Sequence, residues 1–187
     1  MIFVKIYNSE FKPSKMSDYS PQLLNALQKF YKELDRHISR IEEKNKSRIN
    51  CRKGCFSCCK DELEVFGIEA ENIKINHAEL LNRATPNTKG MCAFLDTNGA
   101  CRIYSSRPYV CRTHGVPISY LQEDEEGEYE LRDICPLNEE GNPLETLESD
   151  EIFENNLHEE KLVHLQIMAD KGKFHRVTLR ELFKKSL

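Results

Sequence analysis

Cys51-Arg52-Lys53-Gly54-Cys55-Phe56-Ser57-Cys58-Cys59 carries half of the chain's 8 cysteines, and Cys92, Cys101, Cys111 and Cys135 supply the other half. Thiols crowded at this spacing cannot all pack as small hydrophobes, so they act as metal ligands, disulfides or redox groups. A chain of 187 residues buries an apolar core without cross-links, so size does not force disulfides.

The opening Met1-Ile2-Phe3-Val4-Lys5-Ile6-Tyr7-Asn8 has a short apolar stretch broken by Lys5 and no small-residue cleavage site after it. It reads as a poor signal peptide, and no run approaches membrane-spanning length. The expectation is a cytoplasmic protein with no membrane partner, where clustered cysteines bind metal or do redox chemistry. An even cysteine count also permits a secreted disulfide scaffold, a reading that the missing signal peptide disfavours. The net charge of -4, from 27 basic and 31 acidic residues, argues against nucleic acid as a partner, because phosphate binding needs a basic face. A protein partner is left open.

Outward from the cysteines, the chain reads as one domain over 19–187, with a cysteine core over 51–137 and C-terminal helices over 149–187. Residues 1–18 show no sustained period and are read as an irregular segment, with Met16 as a candidate initiator. Ser20-Pro21 reads as an N-cap and first helical proline, followed at helical spacing by Leu23, Leu24, Leu27, Phe30, Tyr31, Leu34, Ile38 and Ile41. His37 beside this stripe is read as a structural or surface histidine. A second helix is predicted across Ile68, Ile73, Ile75, His77, Leu80 and Leu81, ending before Pro86.

Cys92-Ala93-Phe94-Leu95-Asp96 and Ala100-Cys101-Arg102-Ile103-Tyr104 flank Thr97-Asn98-Gly99, which predicts a hairpin that brings Cys92 near Cys101, with Asp96 as a turn residue. A short helical turn is read over 107–115. Ile118–Leu121 and Tyr129–Arg132 are expected to pair around the acidic turn Glu123–Glu128 and to return Cys135 to the cluster. Helical period resumes from about Ser149, and a last short helix starts at the capping-box pattern Thr178-Leu179-Arg180-Glu181. His158, His164 and His175 in this tail are assigned no chemistry. The fold class is α+β, mostly α: a small cysteine-rich metal-binding core with short β-hairpins, flanked by amphipathic helices.

Thiolates bind soft or borderline ions, and closing a ligand loop costs little entropy when two or three residues separate the sulfurs. Cys55 and Cys58 have that reach, Cys51 adds a third sulfur, and Cys59 points differently from its neighbour. The Cys111-x2-His114 spacing makes His114 a candidate nitrogen ligand. Arg52, Lys53 and Lys60 bracket the first group and Arg102, Arg107 and Arg112 the second, and nearby cations lower a cysteine pKa. Zinc, an iron–sulfur cluster, and one multinuclear or two separate sites all remain open. Cys51-x3-Cys55-x2-Cys58 also matches the three-cysteine signature of radical S-adenosylmethionine enzymes. Ser57, where those enzymes carry an aromatic, and the short, mostly helical chain speak against that reading.

The ordered set Cys51-x3-Cys55-x2-Cys58-Cys59, Cys92-Ala93-Phe94-Leu95-Asp96, Gly99–Tyr104, Arg107-Pro108, Cys111-Arg112, His114-Gly115 and Cys135-Pro136-Leu137 resembles the YkgJ-type cysteine cluster family, also called CxxCxxCC. The resemblance covers roughly 51–137. It implies chelation of zinc or iron by Cys51, Cys55, Cys58, Cys59, Cys92, Cys101, Cys111 and Cys135, with the Arg107-Pro108 turn shaping the loop that presents Cys111. The role so implied is structural, metal-transferring or electron-transferring. An enzyme that methylates flagellin is similar in its cysteine cluster, so a cluster-dependent enzyme with redox or S-adenosylmethionine-linked chemistry is the alternative, with His114 or Asp96 as acid–base candidates. No Gly-rich phosphate-binding pattern supports a nucleotide.

Overall fold

In the computed structural model, residues 19–52 and 54–183 are described, so the readings placed on 1–18 lie outside them. Helix α1, Pro21–Lys44, starts where the Ser20 side chain accepts the Leu23 N–H at 3.3 Å, with proline in the first turn as the sequence predicts. It buries Leu27, Phe30, Tyr31, Leu34, Ile38 and Ile41 along one stripe. At its end Asn45 donates from Nδ2 to the carbonyls of Ile41 and Glu151, at 3.0 and 2.7 Å, and so ties the cap to a distant loop.

Strand β1, Glu64–Phe66, runs directly into helix α2, Gly67–Asn76, and helix α3 follows as Ala78–Arg83. The single helix predicted here is therefore two, broken at His77 with φ −131°. The reason is local: Asn76 Nδ2 turns back onto the Asn72 carbonyl at 2.7 Å and the Asn72 side chain at 3.0 Å, competing with the helical ladder.

The first expected hairpin shrinks to one bridge, Leu95 to Cys101, around a tight turn. Asp96 does act as the turn residue, its Oδ1 accepting the N–H groups of Asn98 and Ala100 at 2.8 Å, while Gly99 takes φ +77°. The Arg102 side chain takes up carbonyls of the first run: Nη2 donates to Ala93 at 2.6 Å and Nε to Phe94 at 3.4 Å, and Nη2 also reaches the Thr85 carbonyl outside the hairpin at 3.0 Å.

After the five-residue helix α4, Tyr109–Thr113, the second hairpin is longer than read. Strand β2, Ile118–Asp124, pairs antiparallel with β3, Gly127–Asp133, so most of the acidic run joins the strands and Glu125-Glu126 alone keeps the turn. Ile152 and Phe153, read as helical, lie ahead of the last helix. Phe153 and Glu154 form β4, parallel to β2, and helix α5 starts only at Asn155 and runs to Ala169. Strand β5, Arg176–Thr178, pairs antiparallel with β1, a two-stranded sheet the sequence did not signal. The last segment, Leu179–Phe183, is a 3-10 turn, with Glu181 reaching back to the Thr178 N–H at 3.1 Å as half of the expected capping box. The class is α+β and mostly helical, as predicted.

Two apolar clusters result. One joins α1 and α5 through Leu34, Ile38, Phe153 and Leu162, and the other gathers Val65, Ile73, Phe94, Ile103 and Leu179 beneath Cys92.

The α1–α5 seam contains a histidine pair that the sequence left unconnected: His37 Nδ1 and His158 Nε2 are 3.1 Å apart, with the Phe153 ring stacked on His158 at 4.8 Å. Burial, then the charges of His37 and Lys161, pull His158 down from its ordinary 6.5 to about 4. His37 is also lowered, by burial first and then by Arg40. In the unfolded chain both rings protonate first, so this seam loses stability as pH falls from 6.5 through about 4. His158→Gln is expected to flatten that acid limb, as read from melting temperatures at pH 7 and pH 5; an unchanged limb would contradict the assignment.

Candidate metal centre

Three loops meet around Asn138, which is fully buried. Its Nδ2 donates to the Gly115 carbonyl at 2.7 Å and to Cys51 Sγ at 3.3 Å, and its Oδ1 accepts the Asn50 N–H at 2.7 Å. One amide thus joins the start of the cysteine loop, the turn after α4 and the segment after Cys135. Gly115 makes this approach possible: it sits at φ +113°, and a Cβ there would come within 3.0 Å of Cys51 Sγ. Gly115→Ala is expected to cost about 1–3 kcal/mol through backbone strain and that clash, measurable by urea unfolding; an unaltered midpoint would contradict it.

The loop between α1 and β1 folds by short turns. Cys55 donates its N–H to Arg52 and Cys59 donates to Phe56, both at 2.9 Å, and Gly54 takes φ +91°. The Cys59 carbonyl then accepts the Cys92 N–H at 3.1 Å, which holds the second cysteine segment against the first. Helix α4 delivers Cys111, and His114 follows at its C-cap.

The electrostatics record which donors are neighbours. Hydrogen bonding from Cys59 first and His114 second drives the Cys58 thiol far below the ordinary thiol range, and the same bond with burial drives Cys59 up. His114 is raised by its bond to Cys58, against burial, with Asp133 adding to the rise. Cys111 is pushed up by burial and then by the charges of Cys92 and Cys101. Cys51 is raised by burial, against the Asn138 amide, and senses Cys135, Cys55 and Cys58. Cys58 is thus linked to Cys59 and His114, while Cys111 responds to Cys92 and Cys101, and Cys51 to Cys135 and Cys55.

The expectation that flanking arginines make thiolates of the second group is corrected. Arg102 and Arg107 do lower Cys101, but its burial outweighs them and the thiol rises. The Arg112 guanidinium is engaged elsewhere, bidentate to Asp35 at 2.8 and 2.7 Å and 4.1 Å from the Tyr31 ring centroid.

All eight cysteines are free thiols. Their chemistry fits a zinc or iron site, since soft sulfur with one imidazole is the donor set these ions take, and the Asn138 amide on Cys51 Sγ is the kind of outer contact that orients a thiolate ligand. As placed, the side chains do not close a coordination shell: among the described residues no three His, Cys, Asp or Glu side chains are arranged to hold an ion. Sequence reasoning missed Asn138 and Asn50, because an amide that braces a sulfur carries no spacing signature.

No helix among the described residues is long and apolar enough to cross a membrane. No curated protein and no solved structure matches the chain. Residues 50–136 match the family CxxCxxCC, described as a "Putative zinc- or iron-chelating domain". That stretch holds all eight cysteines together with His114, so the part of the chain that is similar to a zinc- or iron-chelating domain is the part that carries the thiols.

Proposed function

We propose that this protein binds zinc or iron through its clustered cysteines, with Cys58 at the centre of the donor set. Cys59, Cys111 and His114 are assigned as its co-ligands, and Cys51, Cys55, Cys92, Cys101 and Cys135 fill the remaining positions or a second site. The observation that carries this reading is the match of residues 50–136, which hold all eight cysteines, to a zinc- or iron-chelating domain, and the Asn138 amide that ties Cys51 to the Gly115 turn supports it.

The chain's own residues set the site's character. Asn138 fixes Cys51, the Cys59 carbonyl fixes the Cys92 segment, and Gly115 leaves the room that the Cys51 sulfur occupies. A bound zinc supplies a structural clamp or Lewis acidity, and bound iron adds electron transfer. The primary role we assign is structural or metal- or electron-transferring, in the cytoplasm. Elemental analysis with optical and electron paramagnetic resonance spectra of protein purified without oxygen tests this. Zinc or iron at one or more per chain is the expected result, and folded, colourless, metal-free protein would end the proposal.

A second reading, a metal- or cluster-dependent enzyme, is favoured by one observation: a cavity of about 450 Å³ has His114 and Cys135 in its wall. A change in the metal's spectrum on adding a small ligand would support it, and a sulfur-saturated centre that ignores ligands would count against it.

A further inference from the structure

Both members of the histidine pair in the α1–α5 seam, His37 and His158, lie outside the cysteine-bearing residues 50–136. Each stands on a rigid element, His37 within the 24-residue α1 and His158 in the first turns of α5. His37 Nδ1 and His158 Nε2 approach to 3.1 Å. Two bonds of about 2.0–2.1 Å from one zinc set their nitrogens about 2.9 Å apart at a right angle and about 3.4 Å apart at a tetrahedral one, so the pair has the bite of a chelate. The ring centroids are 5.0 Å apart with planes at 62°, closer than two rings aimed straight at each other across that gap would stand. The nitrogen lone pairs are therefore angled off the line that joins them, as shared ligation of one ion requires. Phe153, fully buried, fixes both rings, stacked on His158 at 4.8 Å and edge-on to His37 at 5.7 Å.

We propose that His37 and His158 form a metal site of their own, a two-imidazole clamp between α1 and α5 for a divalent ion of the zinc, nickel or copper class, with water in its remaining positions. Imidazole nitrogen suits these ions. Burial keeps both rings neutral at pH 7, the form that ligates. Without an ion, one ring donates its N–H to the other; to bind, that ring carries its proton on its own far nitrogen instead, so both lone pairs face the ion and the pair loses no proton. The charged neighbours come from three elements: Arg40 on α1 and Lys161 on α5 oppose a cation, and Glu154 at the end of β4 favours one. Among the described residues no third His, Cys, Asp or Glu closes on the pair, so the clamp is open to solvent and its ion exchangeable. None of its ligands is a cysteine, so it stands whether or not the thiols hold a metal.

Titration of the full-length protein with zinc sulfate, followed through the ring-nitrogen signals of its histidines in long-range proton–nitrogen correlation spectra, tests the site. His37 and His158 are expected to shift together and to saturate with a single zinc. By calorimetry, His37→Gln and His158→Gln should each bind one zinc fewer per chain than the parent protein, while His164→Gln, exposed on α5, should bind as many. The ring spectra need no substitution, so they decide even where a variant folds poorly. Signals of His37 and His158 that stay still while zinc is taken up, or the parent stoichiometry in both variants, would overturn the proposal. Zinc that shifts His114 alone defeats it and leaves the cysteine reading intact. Zinc that shifts His37 and His158 while all eight thiols still react with a thiol reagent supports it and defeats the cysteine reading.

Discussion

Arg112→Ala is expected to lower the unfolding free energy by about 3–4 kcal/mol, a loss assembled from several broken contacts of one side chain. The guanidinium is buried, donates from Nε to the Arg107 carbonyl at 2.7 Å and from Nη2 to the Ser105 carbonyl at 3.1 Å, and grips Asp35 with both oxygens. Asp35 is half-exposed and recovers water when the arginine is removed, so the Coulomb part is modest. The larger costs are the two carbonyls left without a donor and the lost stacking on Tyr31. Because Arg112 follows Cys111 directly, its removal frees the short helix that presents Cys111 and His114, and metal retention should fall with stability. Urea unfolding of the variant measures the first effect. Arg112→Met, which keeps the stem, should recover part of it, and a wild-type midpoint for Arg112→Ala would contradict the account.

Glu69→Ala should cost about 3–5 kcal/mol, since it strips acceptors from three buried donors at once. The carboxylate accepts the Tyr31 hydroxyl from α1, the Tyr109 N–H at the start of α4 and the Phe66 N–H ahead of α2, and is itself 2 % exposed. Glu69→Gln keeps the shape and one acceptor oxygen and should lose less than half as much. Burial raises the Glu69 pKa despite those three bonds, which lower it. The folded chain therefore holds this proton at a pH where the unfolded chain has released it. Stability from this group declines as pH rises from 4.5 through the raised value, and Glu69→Gln should remove that slope from the pH profile of unfolding. A slope that persists in the variant would assign it to another group.

The strongest sequence signals were those with a physical period or a fixed turn chemistry. Leu27, Phe30, Leu34, Ile38 and Ile41 marked α1 because a helix burying one stripe must repeat them, and Asp96 before Asn98-Gly99 marked the tight turn. Elements of two or three residues were not legible. β1 and β5 are too short to alternate, and Phe153 in β4 falls at a spacing that α5 also satisfies, so it was read as helix. Cysteine spacing singled out the proposed donors and their segments, but it could not say that Asn138 would meet Cys51 or that Glu69 and Arg112 would hold α4. Those contacts join residues 40 to 87 positions apart, through side chains whose types are ordinary on any surface.

Arg180 gives the chain a temporal order. Its guanidinium pairs with Asp61 and donates to the carbonyls of Asn87 at 2.8 Å, Thr88 at 3.1 Å and Met91 at 3.0 Å. A single group that follows all the cysteines in the chain thus stitches the segments beside Cys59 and Cys92. On the ribosome all eight sulfurs emerge before Arg180 does, so these contacts can fasten the two segments only after the cysteines have been made.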